Sequence, residues 1–131
     1  MIRRGTTIIE LTVAGAILGT LMVVGLQMLT AVAAQRRAID QQQFATLELA
    51  NVMERMAARP WSELTPQAAA QEQLSSAIRS RLPGAELKVD VSTSDVEPDA
   101  KRIVVSLRWQ NRAGVLLPPL TITTWKYRPH D

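Results

Sequence analysis

Hydrophobic and polar positions follow different periods along this chain, and each change of period marks a change of element. From Leu11 to Gln35, 25 consecutive residues carry no charge; before them the charged side chains are Arg3, Arg4 and Glu10, and the rest begin at Arg36. A helix rises 1.5 Å per residue, so this stretch reaches about 37 Å, against about 30 Å for the hydrocarbon core of a bilayer. It is long enough to span. Its polar interruptions, Thr12, Thr20, Gln27 and Thr30, are uncharged, and hydroxyls in such helices bond to carbonyls of their own backbone.

Beyond the apolar stretch the helix is expected to continue from Arg36 to about Ala58. Ala45, Leu49, Val52, Met53 and Met56 recur there at the spacing of one helical face. The methionines read as core packing, because the segment that follows needs a surface to cover. "RPW" at 59 to 61 ends the helix, since proline disfavours helical geometry in the residue before it. Thr65-Pro66 then supplies an N-cap and a first-turn proline, and "QAAAQEQLSSAIRSRL" (67–82) reads as one second, shorter helix stopped by Pro83-Gly84.

After Gly84 the period becomes two. Leu87, Val89 and Val91 alternate with Lys88 and Asp90, and Ile103, Val105, Leu107 and Trp109 alternate with Val104, Ser106 and Arg108. "VEPDAK" and "NRAG" provide turns. A third strand is expected over Leu120 to Tyr127, with Pro118 and Pro119 making its start an edge or a bend. The expected fold class is α+β: a long N-terminal helix whose outer half packs on a small antiparallel sheet, with one extra short helix.

Charge now adds direction. Arg3 and Arg4 precede the span and favour a cytoplasmic N-terminus, although Arg36 and Arg37 follow it closely. The expected arrangement is a single crossing of a membrane, with the N-terminus cytoplasmic and the C-terminal part extracytoplasmic. An ordinary secretory signal is a competing reading, since Ala31-Val32-Ala33 has the small-x-small pattern of a cleavage site. The apolar run of such a signal is about 7 to 15 residues, however, far shorter than this one.

An uncleaved signal anchor explains the span but says nothing of Glu10. A carboxylate within a spanning helix costs roughly 2.5 to 3.5 kcal/mol near the centre, less near an interface, and marks a partner by default. The bland alternative is a boundary residue wetted by headgroups.

Glu10 has company. Gly5 lies directly ahead of Thr6-Thr7-Ile8-Ile9-Glu10, and this arrangement resembles the class III signal of type IV pilins and type II secretion pseudopilins: a short basic leader ending in glycine, a cut, four mostly apolar residues and a glutamate ahead of a long apolar helix. Thr6 departs from the phenylalanine or methionine usual at that place. The resemblance implies a leader over 1–5 cleaved by prepilin peptidase between Gly5 and Thr6, N-methylation at Thr6, a transmembrane and assembly half over 6–35, and an extracytoplasmic pilin-like domain over 36–131. It also implies partners: other pilin or pseudopilin subunits and an inner-membrane assembly platform.

Glu10 would then neutralise the new amine of a neighbouring subunit in a low-dielectric setting and so fix axial register. Gly15-Ala16-Ile17-Leu18-Gly19 is a GxxxG sequence that lets helix backbones approach. Many major pilins carry a proline about halfway along this helix, where Gln27 stands here, leaving Gly19 and Gly25 as the weak points. "LELANVMERMAARPWSEL" and the "IVVSLRWQNRAG…LTITTW" ending look most like the minor pseudopilin I of type II secretion and its type IV pilus counterparts.

Other classes of function find little support. The chain has no cysteine and its single histidine is His130, which removes Cys/His catalysis and most zinc geometries. No catalytic residue, metal or cofactor is expected. Asp95, Glu97 and Asp99 form the one tight acidic group, but hard cations need six to eight oxygen ligands, so a solvated turn is the better reading. The pI near 10.0 suggests nucleic acid at first sight. Loss of Arg3 and Arg4 with the leader would leave 13 basic against 12 acidic residues, and no basic stripe with interleaved aromatics is visible. No nucleic-acid partner is expected. The alternative from another class is a signal-anchored extracytoplasmic binding domain that joins no filament.

Overall fold

One helix, α1, runs without interruption from Ile8 to Ala58. The computed structural model describes residues 7–129, and the chain divides into two units, one ending at Ile39 and the other starting at Asp40. In the first unit the helix is exposed on every side. In the second, Ala45, Leu49, Val52, Met53 and Met56 are buried, the face expected from their spacing.

That face meets a three-stranded antiparallel sheet in the order β1-β2-β3, with β1 at Glu86–Thr93, β2 at Ala100–Arg108 and β3 at Leu120–Tyr127. Val91 pairs with Ile103, and Val105 with Ile122. Because side chains alternate across a strand, this register puts Ile103, Val105 and Leu107 on the core side. It leaves Lys88, Asp90 and Arg102 exposed on the other. The polar face is tied across strands: the Ser106 and Thr121 hydroxyls lie 3.0 Å apart, and Arg108 Nε donates to Glu86 at 2.7 Å.

Between helix and sheet the observed structure differs from expectation. The segment 67–82 is not one helix but two, α2 at Pro66–Ala70 and α3 at Ser76–Arg81. Thr65 caps the first as expected, its hydroxyl accepting the Ala68 N–H at 3.2 Å. The break has a tertiary cause. The Glu72 carboxylate bridges Arg55 at 3.2 Å and Arg59 at 3.0 Å, while Leu74, two residues on, is buried. Residues two apart do not share a helical face, so a continuous helix cannot turn both inward. Glu48, only 5 % exposed on the buried face of α1, accepts the Ser75 N–H at 3.0 Å just where α3 begins.

Two turns depend on glycine. Gly84 has φ of +60°, and a Cβ there would lie 2.6 Å from Gln110 Cδ. The Gln110 N–H bonds to the Pro83 carbonyl at 2.8 Å, which holds the two segments together. Gly114, with φ of +78°, closes a turn in which Asn111 Oδ1 accepts N–H groups from Ala113 and Val115 at 2.9 and 3.0 Å.

Where α1 ends, the sheet supplies what its last turn lacks. The final carbonyls of a helix have no partner within it. Lys126 of β3 donates to the Ala57 carbonyl at 2.7 Å and also to that of Arg59. Its cross-strand neighbour Lys101 donates to the carbonyls of Trp61 and Leu64, each at 2.8 Å. Burial, and then the nearby positive charge of Arg128, hold the Lys101 ammonium below the usual lysine pKa.

Lys126→Met keeps the stem but leaves both carbonyls without their donor, so a loss of about 1 to 3 kcal/mol is expected in denaturant unfolding followed by tryptophan fluorescence. Lys88→Met, on the exposed face, is expected to stay within about 0.5 kcal/mol of the parent.

Candidate functional site

The segment that the sequence singles out begins α1. Arg3, Arg4, Gly5 and Thr6 lie outside the described residues. Glu10 sits in the first helical turn, exposed. Its backbone N–H donates to the Thr7 hydroxyl at 3.3 Å, and its Oε2 accepts the Thr7 N–H at 3.4 Å. These reciprocal bonds form a capping box, in which a threonine and a glutamate three residues on satisfy each other's orphan donors. The Leu11 N–H then bonds to the Thr7 carbonyl at 3.1 Å, the first rung of the helical ladder.

The carboxylate therefore has a local use as well as a charge. Thr7 is the residue that sequence reasoning passed over, although the T-x-x-E spacing ahead of an apolar run is a recognisable signature of a helix start. A negative charge in the first turn also suits the positive end of the helix dipole. Oε1 of Glu10 has no hydrogen-bond partner among the described residues. A carboxylate with one oxygen engaged keeps acceptor capacity for a cation.

Along the apolar stretch the threonines satisfy themselves. Thr12 bonds to the Ile8 carbonyl at 2.6 Å, Thr20 to that of Ala16 at 2.8 Å and Thr30 to that of Gln27 at 2.8 Å. Gly15 and Gly19 face open space, so the GxxxG surface is clear of side chains. The helix passes through Gly19 and Gly25 without a break. At the far end Arg37 folds back, its Nε donating to the Ala33 carbonyl at 3.2 Å. This helix is long and apolar enough to cross a membrane.

The acidic turn is held by local contacts. Ser94 Oγ accepts the N–H groups of Val96 and Glu97, both at 3.3 Å, and Asp99 turns to Arg128 at 3.5 Å. Among the described residues no three acidic, histidine or cysteine side chains converge in a way that would hold a metal ion.

Replacing Thr7 with Val removes the hydroxyl acceptor and is expected to cost the helix start about 1 kcal/mol. Hydrogen exchange at the Ile9, Glu10 and Leu11 amides checks it: protection should fall there and remain unchanged at Leu49 and Val52.

No protein-family model, no curated protein and no solved structure matches this chain.

Proposed function

We propose that the chain is a structural subunit, a minor pilin or pseudopilin, of a type IV pilus-like or type II secretion filament. The observation that carries this reading is the division of labour along α1. One uninterrupted helix is apolar and exposed over its first half and buries a face against a three-stranded sheet over its second. A soluble domain has no use for the first half, whereas a subunit stored in a bilayer and then packed helix against helix uses both. The Gly5 and Glu10 placement supports the same reading.

In this scheme prepilin peptidase cuts between Gly5 and Thr6, Thr6 is N-methylated, and the N-terminus faces the cytoplasm. The sheet domain stands outside the inner membrane. Glu10 pairs with the amine of a neighbouring subunit as the assembly platform draws the helix from the bilayer. Because the cut lies ahead of Thr6, the Thr7 N–H remains a peptide amide afterwards, so the capping box survives processing and keeps one carboxylate oxygen engaged. The other oxygen serves the neighbour.

A second reading is favoured by that same box. Since Glu10 satisfies a donor of its own chain, its presence is explained without a filament, as in a signal-anchored extracytoplasmic binding domain. Mass spectrometry of the mature protein separates the two: a methylated Thr6 supports the filament subunit, and an intact Met1 supports the anchor. Gly5→Leu is expected to leave full-length precursor in the membrane, because a side chain obstructs the extended backbone a protease site requires. Normal maturation of that variant would count heavily against processing at this site.

Glu10→Ala is expected to insert and to be cleaved, yet to assemble poorly. A neighbour's amine left without its carboxylate in low dielectric loses about 3 to 5 kcal/mol. Glu10→Gln should be intermediate at best. Crosslinking to other subunits, alongside mass measurement of maturation, reads both variants. Wild-type incorporation of Glu10→Ala would return the carboxylate to a capping role alone.

A further inference from the structure

The hairpin that follows β2 is built firmly and yet is apolar at its tip. The Asn111 N–H bonds to the Val115 carbonyl at 2.8 Å, that of Gly114 to the Asn111 carbonyl at 3.0 Å and that of Leu117 to the Trp109 carbonyl at 2.8 Å. At the tip Val115 is 58 % exposed and Leu116 42 %, beside an exposed Arg112. Connecting turns are ordinarily polar, and exposed apolar side chains rimmed by charge mark a contact surface.

Its place in the sheet domain is fixed by contacts at both ends of β2. At the start of that strand, Lys101 bonds to the Trp61 and Leu64 carbonyls, and its neighbour Lys126 to that of Ala57, so the end of α1 lies there together with the acidic turn of Asp95, Glu97 and Asp99. The hairpin lies at the other end of β2, nine residues or about 27 Å away. There the Pro83 carbonyl accepts the Gln110 N–H at 2.8 Å, and Arg81 places its guanidinium 4.1 Å from the centre of the Phe44 ring. The hairpin therefore shares the end of the domain at which α1 enters. From Gln35, the last residue of the charge-free stretch, to Asp40, where the domain begins, the chain cannot exceed about 18 Å even fully extended.

Charge divides between the two ends in the same sense. Arg79, Arg81 and Arg112 are exposed at the hairpin end, where Glu86 is engaged by Arg108 and Asp40 is the other acid. The acidic turn is at the far end. A basic rim around an apolar tip is complementary to an anionic lipid surface, which attracts arginine and takes up apolar side chains at its boundary.

We propose that the 110–117 hairpin rests on an anionic phospholipid surface, with Val115 and Leu116 entering the headgroup boundary and Arg112 and Arg81 facing the lipid phosphates. Lipid is the occupant because the tether is short: a surface kept permanently within reach can be held by a contact too weak to form between separate molecules. The inference rests on the membrane placement of α1 proposed above, and on neither processing nor filament assembly.

The chain has no cysteine, so a single cysteine carries a bimane label to one place. The purified full chain is reconstituted in vesicles of equal parts phosphatidylcholine and phosphatidylglycerol, and quenching by lipids brominated along the acyl chain is read at three sites. Val115→Cys reports the hairpin, Val96→Cys the exposed acidic turn, and Val24→Cys the apolar stretch. Quenching is expected at Val115→Cys and Val24→Cys, and little at Val96→Cys. Adding Arg112→Glu, or using phosphatidylcholine alone, should weaken the quenching at Val115→Cys by about threefold to tenfold and leave Val24→Cys unchanged. Equal quenching at the hairpin and the acidic turn, no quenching at the hairpin, or indifference to Arg112→Glu and to lipid charge would each overturn the contact while Val24→Cys is quenched. Shielding of Val115→Cys that appears only at high protein-to-lipid ratio would assign the hairpin to a second copy and overturn it as well. An unquenched Val24→Cys would overturn the membrane placement and the lipid contact with it.

Discussion

Burial of one face of α1 against the sheet is the contact on which the rest of the C-terminal half depends. Ala45, Leu49, Val52 and Met56 have at most 1 % of their surface exposed, and Ile103, Val105 and Leu107 are wholly buried in the same core. Full burial of a valine, leucine, isoleucine or methionine side chain contributes about 1.5 to 3 kcal/mol, against about 0.5 to 1.5 kcal/mol for a typical single hydrogen bond. The polar contacts are arranged around this face. Glu48 reaches Ser75 from it, Arg55 and Arg59 hold Glu72 beside it, and Lys126 closes its last turn.

The first half of the same helix shows the opposite economy. Its backbone is satisfied internally, its threonines return their hydroxyls to their own carbonyls, and its side chains have nothing to cover them. A structure of that kind is suited to a solvent in which apolar side chains need no cover and backbone groups find no water. The proposed storage in a bilayer and the proposed helix-to-helix assembly both draw on this property. Glu10 is the exception, a charge at the head of an apolar rod, and its engagement with Thr7 shows that one carboxylate oxygen serves the helix start itself.

The elements were legible where periodicity was long or strict. The α1 core face, the limits of β3 and the alternation of β2 follow directly from residues such as Leu49, Ile122 and Val105, because burial on one side of a helix or strand leaves its period in the sequence. The segment 67–82 was misread because its composition favours helix throughout, while the break at Gln71–Ser75 comes from groups distant in sequence. Glu48, Arg55 and Arg59 act on it from α1. At the candidate site Glu10 was visible as an anomaly of charge. Thr7 was equally legible through its spacing to Glu10 but drew no notice, since threonine is unremarkable in an apolar helix.

By itself the sequence determined the long helix and the alternating strands, which side of each is apolar, and that residues 11–35 form a run without charge, because these are local properties of side-chain order. Tertiary structure alone decided where the second helix breaks, which donors close the end of α1, and that a glutamate on its buried face caps the start of α3. Those outcomes rest on pairings such as Lys126 with Ala57 and Glu48 with Ser75. Such pairs are separated by tens of residues along the chain and come within hydrogen-bonding distance only after the helix has settled on the sheet.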